Sequence, residues 1–561
     1  MNQPGNSKTT TLRAISAFVV IAWLALPILA QSPNPFLDTL NRAQESTRLK
    51  QWEEASSSWS QVVAANPHVA SYWNQLGIVL VNKKDYRGAI GAYQKAMDLG
   101  LVPEVMAYLI ASCHGALGDK PQALAWTERS LALGYPRPQR LLTDVNLQIL
   151  RDNPRFKTML GVDDVSAMSR VEGWRYDLDL FLRELKRMHP NPYRRTSSEI
   201  FATYAGQLRN TIPALNDEQV AVGLMKLAAL AGDGHTYLRP VFLTERGQLG
   251  IPIKYYQFAE GVFVVAAAHQ YKDLLGAQVL RIGDHPIEEV LSASAVLVSR
   301  DNSMGLLTEA SYLLRSPQLL FGLGVIPDPN QMLLTVRDAD GKERSVTMIG
   351  VPKGPMDGVS LLGTEPGPLP ISMQPRPAAY WFEYMPQDKV VYFQFNQVRN
   401  DEKESLSQFC DRLFKFIDQN DVAKLVIDLR NNNGGNGSLN VNLLHGLVRS
   451  GKVNRAGGLF VLIGRETFSA AMGLSVDLER QTKAIFVGEP TGSSLNAIGE
   501  MNPVTLPYSK MSGSIASMGG GNSADTRTWI APQIFVPPTL AAYRARRDPA
   551  FEAILEYGRT R

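Results

Sequence analysis

The spacing of hydrophobic and polar positions changes period several times along this chain. From Trp174 to Leu227 it is helical, and Asp177 to Leu185 is strongly amphipathic at a period of 3.6. This stretch is broken at His189-Pro190-Asn191-Pro192-Tyr193. The runs Ile251 to Tyr256, Gly261 to Val265 and Met332 to Val336 read as strands, and Asp338 to Lys342 as a hairpin-type turn. A small β domain with one or two helices follows, then a Pro-, Gly- and Met-rich linker or covering loop over residues 352–378. Beyond it strands and helices alternate. Strands are predicted at Val390 to Phe395, Lys424 to Leu429, Leu459 to Ile463 and Ala484 to Gly488. Helices are predicted at about Lys403 to Asp418, Ser438 to Val448 and Met472 to Leu478. Such alternation argues for an α/β layered core.

An internal repeat precedes all of this. Ala55, Ala89 and Ala123 recur at 34-residue steps (89 − 55 and 123 − 89), with Trp59, Tyr93 and Thr127 four places on. Turn signals at Asn66-Pro67, Gly100 to Pro103 and Gly134-Tyr135-Pro136 separate the copies. The period resembles the tetratricopeptide (TPR) repeat, in which a small alanine lets paired helices approach while aromatics fill the gap. The resemblance implies a helical array over residues 36–160 that binds a peptide or protein in its concave face, or serves as a spacer. Leu141 to Phe156 reads as its closing helix.

Composition adds limits. The 561 residues call for two to four domains, and 45% hydrophobic with 20% charged residues describes a globular protein. A net charge of +4 over this length, without a Lys/Arg block, does not point to nucleic acid. Lys8 and Arg13 precede an uncharged run from Ala14 to Ala30, followed by Gln31-Ser32-Pro33. This predicts a signal peptide over residues 1–30, hence an exported, periplasmic or extracellular protein with no stable membrane span after cleavage. The alternative is an uncleaved anchor. Cys113 and Cys410 read as buried free thiols, and no cluster has metal-ligand spacing, so no cofactor or metal is expected.

Two places carry candidate chemistry. Ser469 stands where the Leu459 to Ile463 strand hands over to a helix, beside unpaired N–H groups and the positive end of the helix dipole. That suits a nucleophile whose reaction makes an oxyanion, and equally an N-cap serine. His235 lies in Gly232-Asp233-Gly234-His235-Thr236, a tight glycine loop expected to expose it. The double glycine Gly434-Gly435 after the Lys424 strand could turn N–H groups outward, or make a plain turn.

In order, Gly232 to Thr236, Asp428-Leu429-Arg430-Asn431-Asn432-Asn433-Gly434-Gly435, Thr467-Phe468-Ser469-Ala470-Ala471 and Val487-Gly488-Glu489-Pro490-Thr491-Gly492 resemble the tail-specific (C-terminal processing) serine peptidases. The resemblance covers about residues 170–561. It implies a multidomain α and α/β protein: helical subdomain at 170–240, PDZ-like β domain at 250–350, and ClpP/crotonase-like α/β catalytic core at 379–561. One branch uses a Ser–Lys dyad, but Asn496 stands at the lysine position and cannot act as a base. The tricorn-core-like branch pairs its serine with a histidine, and His235 is the matching residue. The resemblance then implies Ser469 as nucleophile, His235 as base and Asp525 as the acid orienting it, with Asp525 also readable as a turn former. Oxyanion donors would be the N–H groups of Gly434 or Gly435 and of Ala470, while Glu489 reads as structural. The expected function is an exported serine peptidase acting on peptides or proteins, with the TPR array recruiting a partner or substrate. The alternatives are an inactive relative that binds an apolar ligand or peptide, as in the similar interphotoreceptor retinoid-binding proteins, and a TPR-based assembly module.

Overall fold

The computed structural model describes residues 34–136, 138–161, 164–240, 247–361, 368–374, 376–519 and 524–558. The leader expected over residues 1–30 lies outside them. The chain divides into two compact units between Trp126 and Thr127.

The first unit is a run of helices: Pro35–Arg48, Trp52–Ala65, Ala70–Asn82, Tyr86–Asp98, Pro103–Ala116 and the beginning of Lys120–Ala132. The first five pack consecutively. The alanines of the 34-residue period, Ala55, Ala89 and Ala123, are fully buried. A Cβ on Gly77 would lie 2.5 Å from the Tyr93 ring, so the approach of those two helices requires glycine.

In the second unit, the helix expected from Leu141 to Phe156 is three short pieces instead: Pro138–Thr143, a 3₁₀ turn at Asn146–Leu150, and Pro154–Leu160. Asn153 caps the last piece by accepting from the N–H groups of Arg155 and Phe156, and Pro154 has no N–H to extend the turn before it. Helices Arg170–Met188, Ser198–Thr211 and Asp217–Ala229 follow, the first and third opened by capping boxes. Pro190 holds His189 extended (φ −75°, ψ 126°), which ends the first of them.

The middle region pairs strands Gly358–Ser360, Gly261–Ala268, Gln278–Ile282, Gln331–Arg337 and Glu343–Ile349 in that order, with Ile253–Phe258 also on Gly261–Ala268. Asp338 closes the expected hairpin, its N–H bonding the Lys342 carbonyl at 2.9 Å. Three helices, Ile287–Ala295, Ser303–Leu313 and Pro317–Gly322, replace the one or two expected. Part of the expected linker is an edge strand, because Gly358 has no Cβ to strike the Ala267 carbonyl.

The core is a six-stranded sheet in the order Tyr380–Met385, Val390–Phe395, Lys424–Asp428, Leu459–Ile463, Ile485–Gly488, Ile534–Phe535. Its first pair is antiparallel and the rest parallel. Every residue of Val390–Phe395 and Leu459–Ile463 is buried, which is why the second run is wholly apolar and the first is broken only by Gln394, whose amide is hydrogen-bonded to Tyr392 and Asn396. Helices Leu406–Gln419, Val441–Arg449 and Ala470–Gln481 cover one face, and Pro549–Glu556 packs on the other. The parallel strands bring Asp428, Ile463 and Gly488 to one edge, where open α/β sheets place their ligands. A separate antiparallel sheet ties Tyr237–Arg239 to Ser512–Gly519, and that strand to Ile498–Thr505. Among the described residues no helix is long and apolar enough to cross a membrane.

Candidate active site

The corner after Leu459–Ile463 is fixed by Thr467. Its hydroxyl donates to the Leu429 carbonyl at 2.9 Å and accepts from the Gly464 N–H at 3.0 Å, while the Phe468 N–H bonds the Asn432 carbonyl at 3.0 Å. Ser469 then adopts φ 52°, ψ −120°, and the Ala471 N–H returns to the Phe468 carbonyl at 3.1 Å. This is the first central position of a type II′ turn, normally glycine. Holding a serine there costs about 1–3 kcal/mol. The Ser469 hydroxyl makes no capping bond to its own helix, so it is free to face elsewhere.

It faces His235. Nε2 of His235 lies 3.0 Å from Ser469 Oγ, although 234 positions separate the two. The loop does not expose the ring, as the glycines led one to expect. His235 is 2% exposed, because the Phe468 ring stacks on it at 4.6 Å between centres. Two buried carboxylates grip the loop. Asp233 Oδ1 accepts the N–H groups of His235 and Thr236, both at 2.8 Å, and its Oδ2 bonds His189 Nε2 at 2.9 Å. Asp301 Oδ1 accepts the Gly234 N–H at 3.0 Å, and its Oδ2 the Ser493 hydroxyl at 2.6 Å. Burial lowers the His235 pKa below the usual histidine value. Asp301, Asp233, the Ile498 backbone and Glu500 oppose that shift without cancelling it. The ring is therefore held neutral, the state a base needs. Among the described residues its Nδ1 makes no hydrogen bond of good geometry, although the Ile498 backbone interacts with the ring.

Asp525, expected to orient His235, is not part of this cluster. Its carboxylate accepts from Arg527 Nε at 3.0 Å and Nη2 at 2.9 Å, and from Arg480 at 3.3 Å, and Arg527 above all holds its pKa well below the usual carboxylate range. The sequence showed Arg527 two residues from Asp525, but not that the two would pair. Asp233 had been visible inside the glycine loop, whereas Asp301 lies in a segment with no motif.

The candidate oxyanion donors divide. The Gly434 N–H is turned back onto Asn432 Oδ1 at 2.9 Å. Those of Gly435 and Ala470 meet no acceptor among the described residues. Gly434 instead provides the close approach: at φ 102°, a Cβ there would lie 2.7 Å from Ser469 Cβ. Asn496 bonds the Asp525 carbonyl through its side-chain amide, and no lysine lines the cavity of about 570 Å³ that contains Ser469 and His235. Glu489 is bound by Arg465 through two hydrogen bonds, 2.7 and 3.1 Å.

Residues 389–504 match the model of peptidase family S41. That stretch is similar to the S41 peptidases. The S41 match, to a family of serine peptidases, includes Ser469, both glycines and Ala470, while His235 lies outside the matched residues. The fold is also similar to the crystal structure of mature CPAF, with a TM-score of 0.51 at 13% identity over 70% of this chain and 99% of that one. CPAF complexed with lactacystin gives 0.50 at 13% identity, over 69% and 97%. The photosystem II D1 C-terminal processing protease gives 0.31 at 13%, over 65% and 93%. At such identity the likeness to CPAF is one of fold. No curated protein matches the chain.

Proposed function

We propose that this chain is a serine peptidase in which His235, rather than a lysine, activates Ser469. The observation that carries the reading is the 3.0 Å contact between a buried imidazole Nε2 and the hydroxyl of a serine held in a strained corner. As Ser469 Oγ attacks a peptide carbonyl carbon, His235 Nε2 takes its proton. The Gly435 and Ala470 N–H groups receive the oxyanion. His235 then gives the proton to the departing amine nitrogen as the C–N bond breaks, and water repeats the sequence to free Ser469. Asp233 and Asp301 fix the loop carrying the ring, through its backbone rather than through Nδ1. The strong pairing of Asp525 with two arginines leaves it a structural role.

In the same reading, the N-terminal leader exports the protein to the periplasm or the extracellular space. The 34-residue helical repeats form a TPR array that recruits a protein partner or substrate, ahead of a PDZ-like domain and a ClpP/crotonase-like core. The test is a Ser469→Ala protein assayed on peptides and unfolded protein, together with fluorophosphonate labelling of the unaltered chain. Labelling at Ser469 and turnover lost in the variant are expected. Undiminished turnover in the variant would end the serine mechanism.

A further inference from the structure

One guanidinium and three carboxyl side chains line the cavity beside Ser469: Arg239, Glu309, Glu466 and Glu500. Among the described residues the one arginine of that lining is already committed. Arg239 Nη2 lies 3.1 and 3.2 Å from the two Glu309 oxygens, and its guanidinium sits 4.7 Å from the Tyr312 ring centre. Glu466, three residues before the nucleophile, is different. Among the described residues no hydrogen bond reaches its carboxylate, and what acts on it is burial, the charge of Arg465 and repulsion from Glu309. Arg465 turns away, giving two bonds to Glu489 and one to the Gln257 carbonyl at 2.8 Å. Glu466 also lines the adjoining cavity of about 510 Å³, so it stands on the wall between the two.

A half-buried carboxylate with no cation bound to it, on a cavity wall beside a nucleophile, is open for a cationic ligand to complete. The independent sign of a ligand here is the Ser469–His235 pair with its two unoccupied N–H donors. We infer that Glu466 selects peptide substrates bearing a lysine or arginine side chain next to the scissile bond. This rests on the peptidase reading above. A cationic side chain would answer Glu466 as Arg239 answers Glu309. A neutral one of equal length would desolvate the carboxylate and give nothing in return, which is the asymmetry that makes charged recognition selective.

The experiment compares two peptides identical except for lysine or norleucine beside the cleaved bond. The unaltered enzyme is expected to favour the lysine peptide in kcat/KM by about 10- to 100-fold, the size of a lost charged hydrogen bond. In Glu466→Gln the ratio of the two should fall to about one. A ratio near one in the unaltered enzyme, or a ratio unchanged by Glu466→Gln, overturns the inference. Binding of the same peptides to Ser469→Ala protein separates this from the peptidase reading. Lysine-selective binding that vanishes in Ser469→Ala/Glu466→Gln supports the inference even if no turnover is found, a result that would sink only the peptidase reading. Equal binding of the two peptides overturns the inference itself.

Discussion

His189 and Asp233 share a hydrogen bond of 2.9 Å between side chains almost wholly removed from solvent. The Asn191 N–H donates to His189 Nδ1 at 3.1 Å, so Nε2 carries the proton given to Asp233. That leaves Asp233 Oδ1 to hold the backbone of His235 and Thr236. The break at His189-Pro190 is thus what turns the end of one helix toward the loop that carries His235.

Asp233→Asn follows from this. An amide can face the His235 and Thr236 N–H groups or the His189 Nε2–H with its oxygen, but not both. We expect the variant to lose about 1–3 kcal/mol of stability, the cost of a buried donor left unpaired. Its kcat should drop by about 10- to 100-fold as the ring drifts from Ser469. Chemical denaturation and steady-state kinetics read the two effects. An unchanged kcat would refute the positioning role.

Gly434→Ala tests the contact between the glycine turn and the nucleophile. Its Cβ would meet Ser469 Cβ at 2.7 Å in a backbone region that L-residues avoid. Strain there costs about 1–3 kcal/mol, and displacement of Ser469 should reduce fluorophosphonate labelling at least tenfold. Labelling at the normal rate would show that the corner tolerates the methyl group.

The lowered pKa of His235 has a defined pH signature. Activity needs the neutral ring, so kcat/KM should climb with pH on an acid limb whose midpoint lies below the ordinary histidine value of 6.5. The stability effect has the same direction. The folded ring binds its proton less tightly than the unfolded chain does. Its contribution is therefore fully present above about pH 6.5 and is lost as pH falls toward the folded pKa. A midpoint above 6.5 contradicts the burial argument.

Asp525→Asn is the converse test. Its carboxylate is occupied by Arg480 and Arg527 away from the ring. The change should leave kcat within about threefold and alter stability little, as loss of an exposed ion pair does. A loss of a hundredfold or more would return Asp525 to the catalytic machinery.

Much of the core was legible in the sequence, because buried parallel strands are mostly apolar runs and the glycine turns between them have few substitutes. Ser469 was legible for the same reason, as the residue at a strand-to-helix corner. The role of Asp301 was not. Its partners, Gly234 and Ser493, lie 67 and 192 positions away, and no local spacing encodes such meetings. The misplacement of Asp525 has the same root. Arg527, two residues on, was in plain view beside it, and a nearby guanidinium claims a carboxylate before a distant imidazole can. Burial of His235 depends on Phe468, whose neighbour Ser469 was read for its hydroxyl alone.

The strand leaving the histidine loop, Tyr237–Arg239, finds its partner only in Ser512–Gly519, and the Ala516 N–H bonds the Thr236 hydroxyl at 3.0 Å. Synthesis makes the imidazole early and the hydroxyl late, yet what seats them together arrives later still. A nascent chain halted just beyond Ser469 would carry both groups unarmed.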